Sequence, residues 1–127
     1  YDCSGDDADE VYAHAVSGLN RFPLAYLLLT ELRWNGRYDH KSDGDDPMLK
    51  LALVNCVKYR PLFNGVLIGA GGFTPKTAKE TVEAGHCDAI AFGRWFLANP
   101  DFVSRLKQGQ PLNRYERKTF YTYGPFG

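Results

Sequence analysis

Two apolar runs in the second half of the chain each end in a glycine-containing turn that leads into a helix. This repeated junction limits the fold more than any other feature. The first run is Gly65-Val66-Leu67-Ile68-Gly69-Ala70-Gly71-Gly72-Phe73-Thr74-Pro75, and the second is Asp88-Ala89-Ile90-Ala91-Phe92-Gly93-Arg94. Short apolar strands separated by helices pair in parallel, because the crossover returns the chain to the same edge. The junctions also carry chemistry. Glycine lets a backbone approach an anion closely, a helix start presents N–H groups outward, and arginine offers a planar fork that grips phosphate. On consecutive strands, the two junctions read as one shared phosphate site, with Gly69-Ala70-Gly71-Gly72 and Gly93-Arg94 as its candidate segments.

The remaining pattern extends the same architecture. A helix is predicted over Ala8–Asn20, with Val11, Ala15 and Leu19 stacked on one face and Asp6 and Asp7 at its start. Leu24–Thr30 is nearly all apolar, as a strand covered on both faces should be. A polar stretch, Arg33–Asp45, follows; its length implies a functional or loose loop. A second helix opens at Asp46-Pro47, presents Leu49, Leu53, Cys56 and Val57 on one face, and closes near Lys58 and Arg60 before Pro61. Strands around Val66–Ile68 and Ala89–Phe92 flank a helix that starts at Thr74-Pro75 and stops at Gly85. Asn99-Pro100-Asp101 opens a fourth helix ended by Gly109. The segment from Pro111 onward is rich in Tyr and Phe and is expected to pack on something.

The fold class is therefore α/β with three parallel strands. Three strands are too few to close a (β/α)₈ barrel of about 250 residues, so the chain makes either a small open sheet or part of a larger one. The first residue is Tyr1, and the chain is read as beginning inside something longer.

Composition narrows the partners. The formal net charge of zero argues against a general binder of nucleic acid or anionic membrane. Eight Phe, eight Tyr and two Trp in 127 residues imply a large apolar surface to bury. No apolar run reaches the ~18 residues that a membrane-spanning helix needs. The three cysteines, Cys3, Cys56 and Cys87, lack metal-type spacing and read as reduced thiols of a reducing, cytoplasmic compartment. His14, His40 and His86 are scattered and read as surface or helix residues, and no metal site is expected. Asp39–Gly44 fails as a calcium loop, because Lys41 and Lys50 stand at ligand positions.

Other readings stay open on the residues alone. The Gly69–Gly72 cluster could be a plain tight turn, and Arg94 could pair with a local carboxylate. Gly69-x-Gly71 resembles half of a dinucleotide fingerprint with Asp88 near the ribose position, but Thr74 replaces the third glycine. Tyr121 could simply pack. A non-catalytic half-barrel that binds phosphate compounds or a partner is the main alternative in a different class.

Three strings carry a resemblance to a known family: Gly69-Ala70-Gly71-Gly72-Phe73, Gly93-Arg94-Trp95-Phe96-Leu97-Ala98-Asn99-Pro100-Asp101, and Leu112-Asn113-Arg114-Tyr115-Glu116-Arg117-Lys118-Thr119-Phe120-Tyr121. They resemble the C-terminal part of the old yellow enzyme family, nearest in flavour to its eukaryotic ene-reductases and 12-oxophytodienoate reductases. The resemblance implies about three βα units of a TIM (β/α)₈ barrel spanning residues 1–127, with the first five strands absent. It implies FMN as cofactor, NADPH as reductant and an α,β-unsaturated carbonyl (enone) as substrate of the parent enzyme. It places the flavin phosphate at Gly71, Gly72, Gly93 and Arg94, and the substrate side of the flavin ring at Phe120 and Tyr121. It puts the catalytic donors on the first five strands, so none is expected in this chain, which alone should have little activity. The missing barrel half, or self-association, is the expected partner. Glu31-Leu32-Arg33 stands where many relatives have Glu-Pro-Arg, which leaves the role of Arg33 open.

Overall fold

A computed structural model of the protein describes residues 7–31, 55–116 and 119–120. Its elements run α1 (Ala8–Leu19), β1 (Leu27–Thr30), α2 (Asn55–Tyr59) with a 3₁₀ turn (Arg60–Leu62), β2 (Leu67–Ala70), α3 (Pro75–Glu83), β3 (Ala89–Ala91), α4 (Arg94–Ala98) and α5 (Phe102–Gln108). The strands lie side by side in chain order and all pair in parallel. Leu27 opposes Leu67 and Thr30 opposes Ala70; Ile68 opposes Ala89 and Ala70 opposes Ala91. The βαβ expectation is what the chain forms.

Alternation along the strands gives the sheet two unlike faces. Leu27, Leu29, Leu67 and Ile90 join Val16, Cys56, Tyr59, Phe63 and Cys87 in the core beneath the helices. The opposite face carries Leu28, Thr30, Ile68, Ala70, Ala89 and Ala91, and Leu28 is 45% exposed. Purely parallel sheets are normally covered on both faces. One helix-clad face, and one face of small and aliphatic side chains that no described element covers, is the cross-section of a barrel wall.

Several local expectations need correction. The core-facing stripe of α1 is Ala13, Val16 and Leu19, an i, i+3, i+6 row, whereas Val11 is 56% exposed. β1 starts at Leu27, not Leu24, because residues 21–26 turn back on α1 through bonds such as Phe22 N to Leu19 O, 3.1 Å. Val57 is exposed, while Cys56 and Tyr59 face the core. Pro61 does not end the helical path; it lies within the 3₁₀ turn, where its missing N–H costs nothing. β3 ends at Ala91, one residue short of the expected Phe92, and the helix after the Gly93 turn is a short one, α4, separate from α5. The proposed start at Asp46-Pro47, the loop 33–45, Cys3 and His40 lie outside the described residues.

Caps explain the helix boundaries. Thr74 and Thr77 form a reciprocal capping box: the Thr77 amide donates to Thr74 Oγ1 (3.2 Å) and the Thr74 amide donates to Thr77 Oγ1 (3.0 Å). Gly109 closes α5 in the left-handed conformation with φ of 65°. Asn99 does not cap α5. It is fully buried; its amide donates to Trp95 O (3.0 Å) and Asn113 O (3.1 Å), and its carbonyl accepts from the Asn113 amide (2.7 Å). Asp101 is likewise taken, by Arg105 at 2.7 Å.

The thiols of Cys56 and Cys87 are free and buried. Burial pushes both above the ordinary thiol range, and the Glu31 carboxylate raises Cys56 further. Both therefore serve as packing groups, not nucleophiles.

At the rim where β2 and β3 begin, Asp88 Oδ2 accepts from the Leu67 amide and from Arg60 Nη1, each at 2.7 Å, while Arg60 Nη2 donates to Gly65 O at 2.9 Å. The Leu67 hydrogen bond, with the nearby Arg60 charge, holds the Asp88 carboxyl below its usual range. A group depressed on folding stabilises above its unfolded value and loses that contribution as pH falls through the folded one. Asp88→Ala should lower unfolding free energy by about 1–3 kcal/mol near neutral pH, toward the low end because the side chain is half exposed. Urea unfolding of wild type and variant should show that gap near pH 7 and a narrower one below the ~3.9 of an ordinary aspartate.

Candidate functional site

The opposite rim, where the strands end, holds a cavity of about 440 Å³. Its geometry follows from strand register. Ala70 and Ala91 are paired, so the turns after β2 and β3 leave the sheet as neighbours. Gly71, Gly72, Gly93 and Arg94 all line this cavity, together with Arg114 and Tyr115.

The first turn depends on glycine. Gly71 has φ of 93°, and a Cβ there would lie 2.9 Å from the Glu31 carbonyl oxygen. Gly72 follows with φ of 65°. Two successive left-handed residues turn the chain sharply from β2 toward Thr74 and α3. Gly93 differs: its φ is −99°, and nothing lies within 4 Å of an added Cβ. Glu31 supports the turn from the end of β1. Its amide donates to Ala70 O at 2.8 Å, and its buried carboxylate accepts from the Cys56 amide (2.7 Å) and the Asn55 amide (3.2 Å).

The second turn is tied to the first. Trp95 donates its indole N–H to Phe73 O at 3.2 Å. Phe102, 1% exposed, stacks on Trp95 and meets Phe92 and Phe96 edge to face. Tyr115 packs edge-on against Trp95 at 5.3 Å between centroids, and its ring lies 5.8 Å from the Arg94 guanidinium carbon. That cation–π contact orients Arg94 without neutralising it. Among the described residues no carboxylate lies within ion-pair reach of Arg94, so the alternative of a local salt bridge does not hold there. Among the described residues no carboxylate lines the cavity either. Two arginines with no acid among the described lining residues suit an anion, and the glycine turns leave room for one to approach the backbone.

The other candidates fall elsewhere. Phe120 packs on Tyr115 at 5.9 Å, one layer behind the cavity wall. Tyr121 and Arg33 lie outside the described residues. Asp88, the ribose candidate of the dinucleotide reading, is occupied at the far rim by Leu67 and Arg60. Sequence reasoning missed Arg114 and Tyr115 as cavity residues. What seats them is a long-range contact that the local sequence does not show: both follow Asn113, which Asn99 pins.

Three consecutive βα units with a cavity at their strand ends have the layout of part of a TIM (β/α)₈ barrel. Residues 28–113 match the NADH:flavin oxidoreductase / NADH oxidase family, and the chain belongs to it. It is 48% identical over 128 residues to 12-oxophytodienoate reductase 1 of Oryza sativa subsp. japonica, covering 98% of this chain and 30% of that protein. Morphinone reductase superposes with a TM-score of 0.74 at 29% identity, covering 96% of this chain and 30% of that one. The old yellow enzyme from Trypanosoma cruzi gives 0.72 at 26%, covering 92% and 28%. The old yellow enzyme resemblance and the partial-barrel fold both hold. The chain spans about 30% of the length of the curated relatives it matches along its whole length.

The two glycine classes separate in a melting experiment. Gly71→Ala should destabilise by about 1–3 kcal/mol, because it combines a disfavoured φ with a backbone clash. Gly93→Ala should stay within about 0.5 kcal/mol of wild type.

Proposed function

We propose that this cavity holds the phosphate end of FMN and that the whole protein is an FMN-dependent oxidoreductase. One observation carries the reading: Gly71, Gly72, Gly93 and Arg94, from two different turns, line one cavity whose described lining includes two arginines and no carboxylate. The residues fit the group. Glycine turns admit a phosphate against the backbone, and a guanidinium neutralises it with directed hydrogen bonds. When bound, FMN supplies the electron-transfer chemistry, and the protein binds, orients and tunes it.

The finer assignment follows the relatives, which are reductases of 12-oxophytodienoate and morphinone by name. The substrate of the proposed reaction is an α,β-unsaturated carbonyl, reduced at its C=C bond, with NADPH as the reductant. Within this chain, Arg94 and the glycine turns fix the phosphate end, and Tyr115 holds Arg94 in place. Phe120, behind Tyr115, and Tyr121 are proposed for the substrate side. The bare face of the sheet supports the rest of a barrel as the element that covers it, with self-association as the other possibility. The buried thiols of Cys56 and Cys87 support a reducing compartment such as the cytoplasm.

The protein at its full natural length should purify as a yellow complex with one FMN, and a colourless protein that takes up no FMN would refute the reading. Arg94→Ala should weaken FMN binding by about tenfold or more, the value of one charge-assisted contact to phosphate, while the fold, followed by circular dichroism, stays intact. Flavin fluorescence titration measures it; unchanged affinity removes Arg94 from the site.

A further inference from the structure

We propose that Arg114 is a second phosphate-binding residue of the same cavity, so that Arg94 and Arg114 form a two-guanidinium clamp selective for a dianionic phosphate monoester. This inference rests on the FMN reading above and deepens it.

The two arginines reach the cavity from different elements. Arg94 begins α4 directly after β3, whereas Arg114 lies on the extended strap that follows α5. The strap is held firmly. Asn99, fully buried, exchanges hydrogen bonds with the backbone of Asn113 in both directions (2.7 and 3.1 Å), and Asn113 Nδ2 donates to Ala98 O at 3.2 Å. Arg105 adds a bond to Pro111 O at 2.9 Å. The residue after this clip is Arg114, and the next, Tyr115, wedges its ring between Trp95 and the Arg94 guanidinium. The strap therefore sets the position of both cations.

Apart from the packing of Arg94 on Tyr115, neither cation has a partner among the described residues. Among the described residues, neither guanidinium donates a hydrogen bond or pairs with a carboxylate, whereas Arg60 and Arg105 do both. Two like charges facing one cavity repel each other, which disfavours the arrangement unless an anion sits between them. A single negative charge leaves one guanidinium unmatched, and a phosphate monoester dianion matches both. Its second ionisation lies near pH 6, so the clamp discriminates best above that value.

The test compares FMN with riboflavin, which lacks the phosphate, in the full-length protein freed of flavin. Fluorescence titrations would run from about pH 5 to pH 8. Wild type should bind FMN more tightly than riboflavin, by a ratio that grows as the phosphate loses its second proton. Arg114→Gln should weaken FMN by about tenfold, leave riboflavin unchanged and flatten the pH dependence; Arg114→Lys should recover part of the loss. If wild type prefers FMN but Arg114→Gln binds it within twofold of wild type, the clamp is wrong and the FMN reading stands. If Arg114→Gln weakens riboflavin as much as FMN, Arg114 acts only on the fold and the clamp is again wrong. If wild type shows no preference for FMN, both readings fall.

Discussion

The pairing of Ala70 with Ala91 is the constraint on which the site depends. Parallel strands run in one direction, so equal register at their ends delivers two turns to one rim. A shift of one residue would turn every side chain of β3 to the other face and carry the second turn away from the first. Two further contacts convert that proximity into a fixed geometry. The Trp95 indole bonds the Phe73 carbonyl across the turns, and the Glu31 backbone packs so closely on Gly71 that no side chain fits there. Glu31 also receives the Cys56 and Asn55 amides, so the same residue that shapes the turn anchors α2.

The two rims of the sheet handle charge in opposite ways. Where β2 and β3 begin, Arg60 is matched by Asp88, and the carboxylate also satisfies the Leu67 amide. That arrangement is electrically closed and explains why Asp88 belongs to the fold. Where the strands end, Arg94 and Arg114 line a cavity with no acid among its described residues. Unmatched cations beside an apolar, aromatic wall raise the local potential and concentrate anions there. The closed rim serves the fold and the proposed site lies at the other, the division expected of a barrel whose ligands sit at the C-terminal ends of its strands.

Backbone chemistry was the legible part of the sequence. The apolar runs, the Thr74-Pro75 start and the glycine stops gave the βαβ order and the shared rim, because propensity and capping act over a few residues. The Gly-Arg junction after β3 was readable for the same reason. Long-range competition hid the rest. Asn99-Pro100-Asp101 has the composition of a cap, but Asn99 is drawn into the Asn113 clip and Asp101 into the Arg105 pair. Val11 fits a helical stripe, yet the helix turns Val16 inward, since α1 docks through Ala13, Val16 and Leu19 on a surface the local sequence does not contain. Arg114 went unnoticed because its placement follows from a contact of the preceding residue, Asn113, with Asn99, fourteen residues earlier in the chain.

The bare sheet face completes the physical picture. Leu28, Ile68, Ala70, Ala89 and Ala91 form a contiguous apolar surface flanked by Thr30, and Leu28 is 45% exposed. Burial of such surface is the main favourable term in folding, at ~25 cal/mol per Å², and an uncovered parallel sheet forfeits it. Inside a barrel these positions would form one wall of the packed interior, and the alternation of Leu and Ile with Ala would let facing strands interdigitate. The cavity lies at the mouth of that same interior, between the ends of the strands. In such a barrel, covering the face and closing the cavity would be one event, since strands that buried Leu28 and Ile68 would also flank the rim where Arg94 and Arg114 lie.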